Sequence, residues 1–111
     1  MKKRGILNAQ LSYLLAALGH KDLFMIGDAG MPIPEGVEVV DLVLTAGVPT
    51  FKQVLDAVLD EVQVEGYYLA HEIKEFNPEL EEYIKAGLPE AEVEYMPHED
   101  LKKFSGKCSF A

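Results

Sequence analysis

Gly19-His20-Lys21-Asp22-Leu23-Phe24-Met25-Ile26-Gly27-Asp28-Ala29-Gly30-Met31-Pro32-Ile33-Pro34 is the stretch on which the reading of this chain turns. Its apolar centre, residues 23–26, has the length and composition of a buried strand. Glycines 19, 27 and 30 and prolines 32 and 34 mark tight backbone on either side. A strand here carries His20 and Asp28 at opposite ends, roughly 25 Å apart at about 3.3 Å per residue. For the two to share a site, the loop after Gly27 must fold back or a second subunit must supply one of them. Buried strands with polar ends and glycine-loosened loops are how α/β proteins present chemistry. The competing reading of Gly27-Asp28-Ala29-Gly30 is a plain turn, and the pattern alone leaves both standing.

Outward from this stretch, helical and strand patterns alternate. Upstream, Asn8 is placed to cap a helix over residues 9–18, with Leu11, Leu14, Leu15 and Leu18 at helical spacing and Gly19 at the left-handed C-terminal position. Strand one is expected over residues 22–26, followed by a loop over 28–36. Downstream, residues 37–44 are rich in β-branched side chains and predict a second strand, broken by Thr45-Ala46-Gly47-Val48-Pro49. Thr50 caps a helix whose apolar face is Val54, Leu55, Val58, Leu59 and Val62. Residues 64–70 predict a third strand, and residues 71–76 fit no single element. Asn77-Pro78 is a cap followed by proline at the first helical position, opening a helix over 79–86 that Gly87 ends. Residues 91–96 alternate as a fourth strand, and a short helix follows through Phe104, stopped by Gly106. The expectation is an α/β protein: one domain over residues 1–111, a three-layer α/β/α sandwich with a mostly parallel sheet covered on both faces.

Composition narrows the function classes. The 111 residues suffice for one small core, and oligomerisation is a natural source of further burial. Hydrophobic residues make up 49% and charged residues 26%, the balance of a globular rather than a disordered chain. Nineteen acidic against ten basic residues give a net charge of −9. That argues against nucleic acid, which needs a basic stripe, and against anionic membrane surfaces. The single cysteine, Cys108, leaves no internal disulfide or Cys-rich zinc site and fits a reducing, cytoplasmic compartment. Met1-Lys2-Lys3-Arg4 before apolar residues resembles a signal peptide, but Asn8, Gln10 and Ser12 interrupt the run, which reads instead as a helix of the mature protein. No stretch approaches the roughly 20 apolar residues of a membrane span.

For chemistry, no phosphate-cradling glycine loop of the P-loop or dinucleotide type is present. No two histidines have metal-ligand spacing on one helix, and the adjacent His71 and Glu72 point apart, so no metal site is expected. Ser12, Ser105 and Ser109 lack a nucleophile-elbow context. The set that remains is His20, Asp28, His98 and Lys102. His20 and His98 each stand at a junction of strand and helix, and Lys102 follows His98 by four residues on the same helical face. Histidines at such junctions, with pKa values near neutrality, suit proton transfer. The plainer alternative is that His98 caps its helix and His20 sits exposed in a turn. His71 reads as a surface or interface residue, and Glu79, Glu81, Glu82 and Glu90 as a solvated face.

Several motifs together resemble one family. At Gly19-His20-x-Asp22, Asp28-Ala29-Gly30-Met31-Pro32-Ile33-Pro34, Leu44-Thr45-x-Gly47-Val48-Pro49, Val64-Glu65, Glu72-Ile73-Lys74 and Asn77-Pro78, the chain is similar to the D-ribose pyranase family, which also contains the L-fucose mutarotases. The likeness covers about residues 1–104, and its Asp-Ala-Gly-x-Pro-Ile-Pro run looks like the ribose-type branch. The resemblance implies a cofactor-free sugar mutarotase that interconverts pyranose and furanose ribose. It implies His20 as proton donor, Asp28 and His98 as sugar-binding residues, and Lys102 as a further sugar contact. It also implies a ring-shaped homo-oligomer, a pentamer or a decamer made from two, with sites at subunit interfaces.

The sequence departs from the family at its C-terminal end. Family members usually continue past a Gly-x-Cys-Ser-like stretch into a last strand with a sugar-contacting tyrosine and asparagine, whereas here Gly106-Lys107-Cys108-Ser109 is followed by Phe110 and Ala111. The expectation is a ribose-type mutarotase with a shortened tail and weak sugar affinity. Two alternatives remain open: a non-catalytic sugar-binding or assembly module on the same scaffold, and a mutarotase for another monosaccharide such as fucose.

Overall fold

The computed structural model describes residues 2–27 and 33–108. The chain groups into two compact units. Unit one is Met1–Val62 with Ser105–Ala111, and unit two is Gln63–Phe104, so the second is inserted into the first along the chain.

Among the described residues, unit one holds two α-helices and a 3-10 turn. α1 spans Ala9–Ala16, and Asn8 caps it by accepting the Leu11 N–H at 2.8 Å. The helix stops two residues before the expected Leu18, and Gly19 does not adopt a positive φ. The helix closes at Ala17, whose N–H bonds the Tyr13 carbonyl at 3.0 Å, and a separate turn follows over Gly19–Asp22. The Asp22 carboxylate accepts the Gly19 N–H at 2.7 Å, and the Asp22 N–H donates back to the Gly19 carbonyl at 3.2 Å. α2 spans Phe51–Leu59 behind a full capping box. In it the Thr50 hydroxyl accepts the Gln53 N–H at 3.1 Å, and the Gln53 side chain accepts the Thr50 N–H at 2.8 Å. The turn before it contains Gly47 at φ +76°, with the Val48 N–H on the Thr45 carbonyl at 3.0 Å. A positive φ at the third turn position is what selects glycine there.

Ile6, Leu11, Leu15 and Val58 form the core of this unit, with Leu14, Leu18, Phe24, Ile26, Val40, Leu42, Val54 and Val62 packed against it. Val58 is the most enclosed, at 1% exposure. Phe24, Ile26, Val40 and Leu42 come from the two segments expected as strands one and two, but neither segment forms a regular strand. Phe24 and Glu38 are single bridge residues, and other backbone groups of the second segment bond to side chains and to a turn. The Val39 carbonyl accepts from Gln10 Nε2 at 2.9 Å, the Val43 N–H donates to Asp41 Oδ1 at 3.0 Å, and the Leu44 N–H donates to the Val48 carbonyl at 2.9 Å. The β-branched pattern thus marks half-buried packing, which is most of what strand propensity measures.

Unit two contains the sheet. β1 (Gly66–Ala70) and β2 (Glu92–Met96) pair in parallel, Gly66 opposite Glu92 and Ala70 opposite Met96. Gly66 is favoured by close approach: a Cβ there would lie 3.2 Å from the Glu92 carbonyl, which would have to shift. Parallel neighbours need a crossover, supplied by α3 (Ile73–Phe76) and α4 (Pro78–Gly87). The ambiguous residues 71–76 are therefore mostly a short helix. Asn77 accepts the Leu80 N–H at 3.2 Å ahead of Pro78, as the sequence signal predicts. Gly87 is the last residue of α4 rather than its stop. α5 (His98–Phe104) follows β2 and runs into a 3-10 turn at Ser105–Lys107. The class is α/β with parallel strand pairing, as expected. Among the described residues no helix is long and apolar enough to cross a membrane.

Candidate functional site

His20 lies exposed in unit one, inside the turn that follows α1. The reciprocal pair between Gly19 and Asp22 closes the backbone around it. The turn places His20 outside the core cluster of Ile6, Leu11, Leu15 and Val58. Asp28 lies outside the described residues.

His98 and Lys102 belong to unit two and share α5. His98 is the first residue of that helix, and both residues are half-buried. Four residues apart, they lie on one face. Lys102 Nζ stands 4.0 Å from Glu99 Oε1, one turn back. The structure thus brings together His98 and Lys102, as the spacing predicts.

Two anchors hold α5. At its start the His98 N–H points between the two carboxylate oxygens of Glu72, 3.1 Å from each. At its end the Phe104 ring packs on Tyr68 of β1, centroids 4.8 Å apart and tilted by 53°. Glu72 stands two residues after β1, in the turn that opens α3, and makes no side-chain cap for α3 itself. The His98 backbone N–H, followed by its own, holds the Glu72 carboxyl below the usual value of 4.5, against a smaller opposing effect of desolvation.

A second polar cluster surrounds Tyr95 of β2. Its hydroxyl donates to Glu81 of α4, the His71 ring stacks on it at 5.8 Å, and Lys74 Nζ lies 4.1 Å above its centroid. The Tyr95 hydroxyl is the largest influence lowering the Glu81 carboxyl and also the largest raising Lys85. His71 also continues the pairing of β1 and β2 through its N–H on the Met96 carbonyl at 2.8 Å. This cluster ties the crossover helices to the sheet, and His71 belongs to it. Among the described residues no group of three or more His, Cys, Asp or Glu is arranged to hold a metal ion.

The supporting roles of Asp22 and Glu72 were missed in the sequence. The first had a signal, an aspartate three residues after a glycine in a turn-rich segment. The second had none, because Glu72 and His98 are 26 residues apart.

The α/β scaffold places His20 in the turn after α1 and His98 at the first position of α5. The chain belongs to the RbsD / FucU transport protein family, whose model matches residues 1–111. It is 52% identical over 103 residues to the D-ribose pyranase of Limosilactobacillus fermentum, covering 93% of this chain and 79% of that one. It is 47% identical over 108 residues to the D-ribose pyranase of Pediococcus pentosaceus, covering 97% and 82%. The structure of Bacillus subtilis RbsD complexed with D-ribose superposes with a TM-score of 0.93 at 40% identity, over 98% of this chain and 83% of that one.

Proposed function

We propose that this protein is a D-ribose pyranase, interconverting the pyranose and furanose forms of D-ribose. The observation that carries the reading is the 52% and 47% identity to D-ribose pyranases over nearly the whole chain. The B. subtilis relative, complexed with D-ribose, supports the same sugar.

The reaction conserves atoms and redox state. A proton is delivered to the ring oxygen O5 and the anomeric hydroxyl gives one up, so the C1–O5 bond breaks and C1 becomes an aldehyde. The O4 hydroxyl then adds to C1 and loses its proton, while the carbonyl oxygen gains one. Such chemistry needs an acid and a base near neutral pKa, and groups of this kind typically contribute about 10²–10⁴-fold. In the proposed assignment His20 donates the proton to the ring oxygen, Asp28 and His98 bind the sugar hydroxyls, and Lys102 adds a polar contact. His20 in a closed turn, and His98 with Lys102 on one face of α5, support this assignment.

The proposal extends to a cytoplasmic homo-oligomer, a pentamer or decamer, built from chains that each form one domain over residues 1–111. Large apolar side chains left exposed on the single chain support association: Leu44 at 78%, Tyr13 at 72% and Leu7 at 65%. Native mass spectrometry tests it, and a spectrum of monomer alone at micromolar concentration would contradict it. Saturation transfer between the anomeric protons of ribose forms, with and without protein, tests the activity. Sugar binding without any gain in exchange would favour a non-catalytic sugar-binding module instead.

A further inference from the structure

We infer that Glu72 is a positioning residue for sugar binding, acting through His98. Three observations carry this. Both Glu72 carboxylate oxygens lie 3.1 Å from the His98 N–H across 26 residues of chain. Glu72 makes no side-chain cap for its own helix α3, and its carboxylate reaches the start of α5. The far end of α5 is held separately, by Phe104 on Tyr68. Loss of the Glu72 carboxylate therefore frees the first turn of α5, which carries His98, while the last turn stays attached to β1.

The inference rests on the assignment of His98 to the sugar site. A histidine at the first position of a seven-residue helix has its ring placed by that backbone. Displacement of a binding group by about 1 Å is enough to cost on the order of tenfold or more. Binding is affected before proton transfer, because the contact holds His98, a sugar-binding residue of the proposed mechanism, and not the proton donor His20.

The test compares KM and kcat for ribose exchange in Glu72→Ala, Glu72→Gln, His98→Ala and Thr50→Ala, with a thermal unfolding curve for each. Thr50→Ala removes a cap from α2, remote in sequence from this contact, and controls for lost stability. The expected result is a KM raised about tenfold in Glu72→Ala with kcat changed less than threefold. Glu72→Gln, whose amide oxygen still accepts the His98 N–H, recovers most of the loss, and Thr50→Ala leaves KM unchanged. If Glu72→Ala does not fold, Glu72→Asp takes its place: it keeps the charge but is one methylene short, and a raised KM is again expected. A folded Glu72→Ala or Glu72→Asp protein with unchanged KM, or a KM rise of the same size in Thr50→Ala, overturns the inference. His98→Ala separates the two levels. A raised KM there with a silent Glu72→Ala overturns the positioning role alone, whereas a silent His98→Ala overturns the sugar-site assignment of His98 and the inference with it.

Discussion

The Asp22 carboxylate accepts the Gly19 N–H at 2.7 Å, and through that bond it closes the turn that presents His20. The Asp22 N–H returns the bond to the Gly19 carbonyl at 3.2 Å, so the turn is held from both sides. Removing the side chain leaves the Gly19 N–H to water and loosens the backbone under the proposed proton donor. Asp22→Ala is expected to lower kcat for ribose exchange about tenfold, with little change in the far-ultraviolet circular dichroism. Asp22→Asn, which keeps an acceptor oxygen, recovers part of the rate. Unaltered kcat in Asp22→Ala would separate the turn from the chemistry.

The capping box at the start of α2 predicts a purely structural effect. Thr50→Ala deletes the acceptor for the Gln53 N–H and is expected to cost about 1 kcal/mol. For a chain of this length that lowers the melting temperature by roughly 4 °C. The measurement is differential scanning calorimetry beside an exchange assay at saturating ribose, where kcat is expected to stay within error.

Val58, at 1% exposure, stands in the core cluster with Ile6, Leu11 and Leu15. Val58→Ala removes two buried carbon groups and leaves a cavity, for a loss of about 1.5–3 kcal/mol. Urea unfolding followed by fluorescence and by circular dichroism measures it. If residues 1–111 fold as one domain, both probes report the same shifted midpoint. Two separated transitions would show that the inserted unit unfolds independently.

The acidic limb of stability has a defined sign. Glu72 and Glu81 both have folded-state pKa values below the ordinary 4.5, from the His98 N–H and the Tyr95 hydroxyl respectively. A depressed carboxylate adds stability that is present above the unfolded pKa. That stability is lost as pH falls through the folded one. Melting temperature is therefore expected to fall as pH is lowered below about 4.5, and to fall less steeply in Glu72→Gln. Carboxyl carbon resonances of Glu72 and Glu81 that titrate at or above 4.5 would contradict this.

Much of the fold is written in local signals. Asn8, Thr50 and Asn77 cap their helices as their positions predict, because a cap bonds an N–H three residues away and needs no knowledge of the rest of the chain. Residues 66–70 and 92–96 form strands because each finds the other in register. Residues 22–26 and 37–44 are also apolar but pack on the core with single bridge residues at Phe24 and Glu38, while Val39 and Val43 bond to side chains. Pairing is non-local, and a single segment does not reveal whether it has a partner. The site divides along the same line. His98 with Lys102 is a helical spacing and was legible. The hold of Glu72 on His98, and of Tyr68 on Phe104, depends on β1 and α5 meeting, and no spacing announces it.

The measurement that tests the central claim most directly is saturation transfer between the anomeric proton resonances of pyranose and furanose ribose, with wild-type protein and with His20→Ala. The account predicts exchange well above the buffer rate for the wild type, unaffected by a chelator. For His20→Ala it predicts a loss of about 10²-fold or more, with unchanged circular dichroism. Wild-type exchange equal to buffer, or a folded His20→Ala protein that retains the full rate, would contradict it.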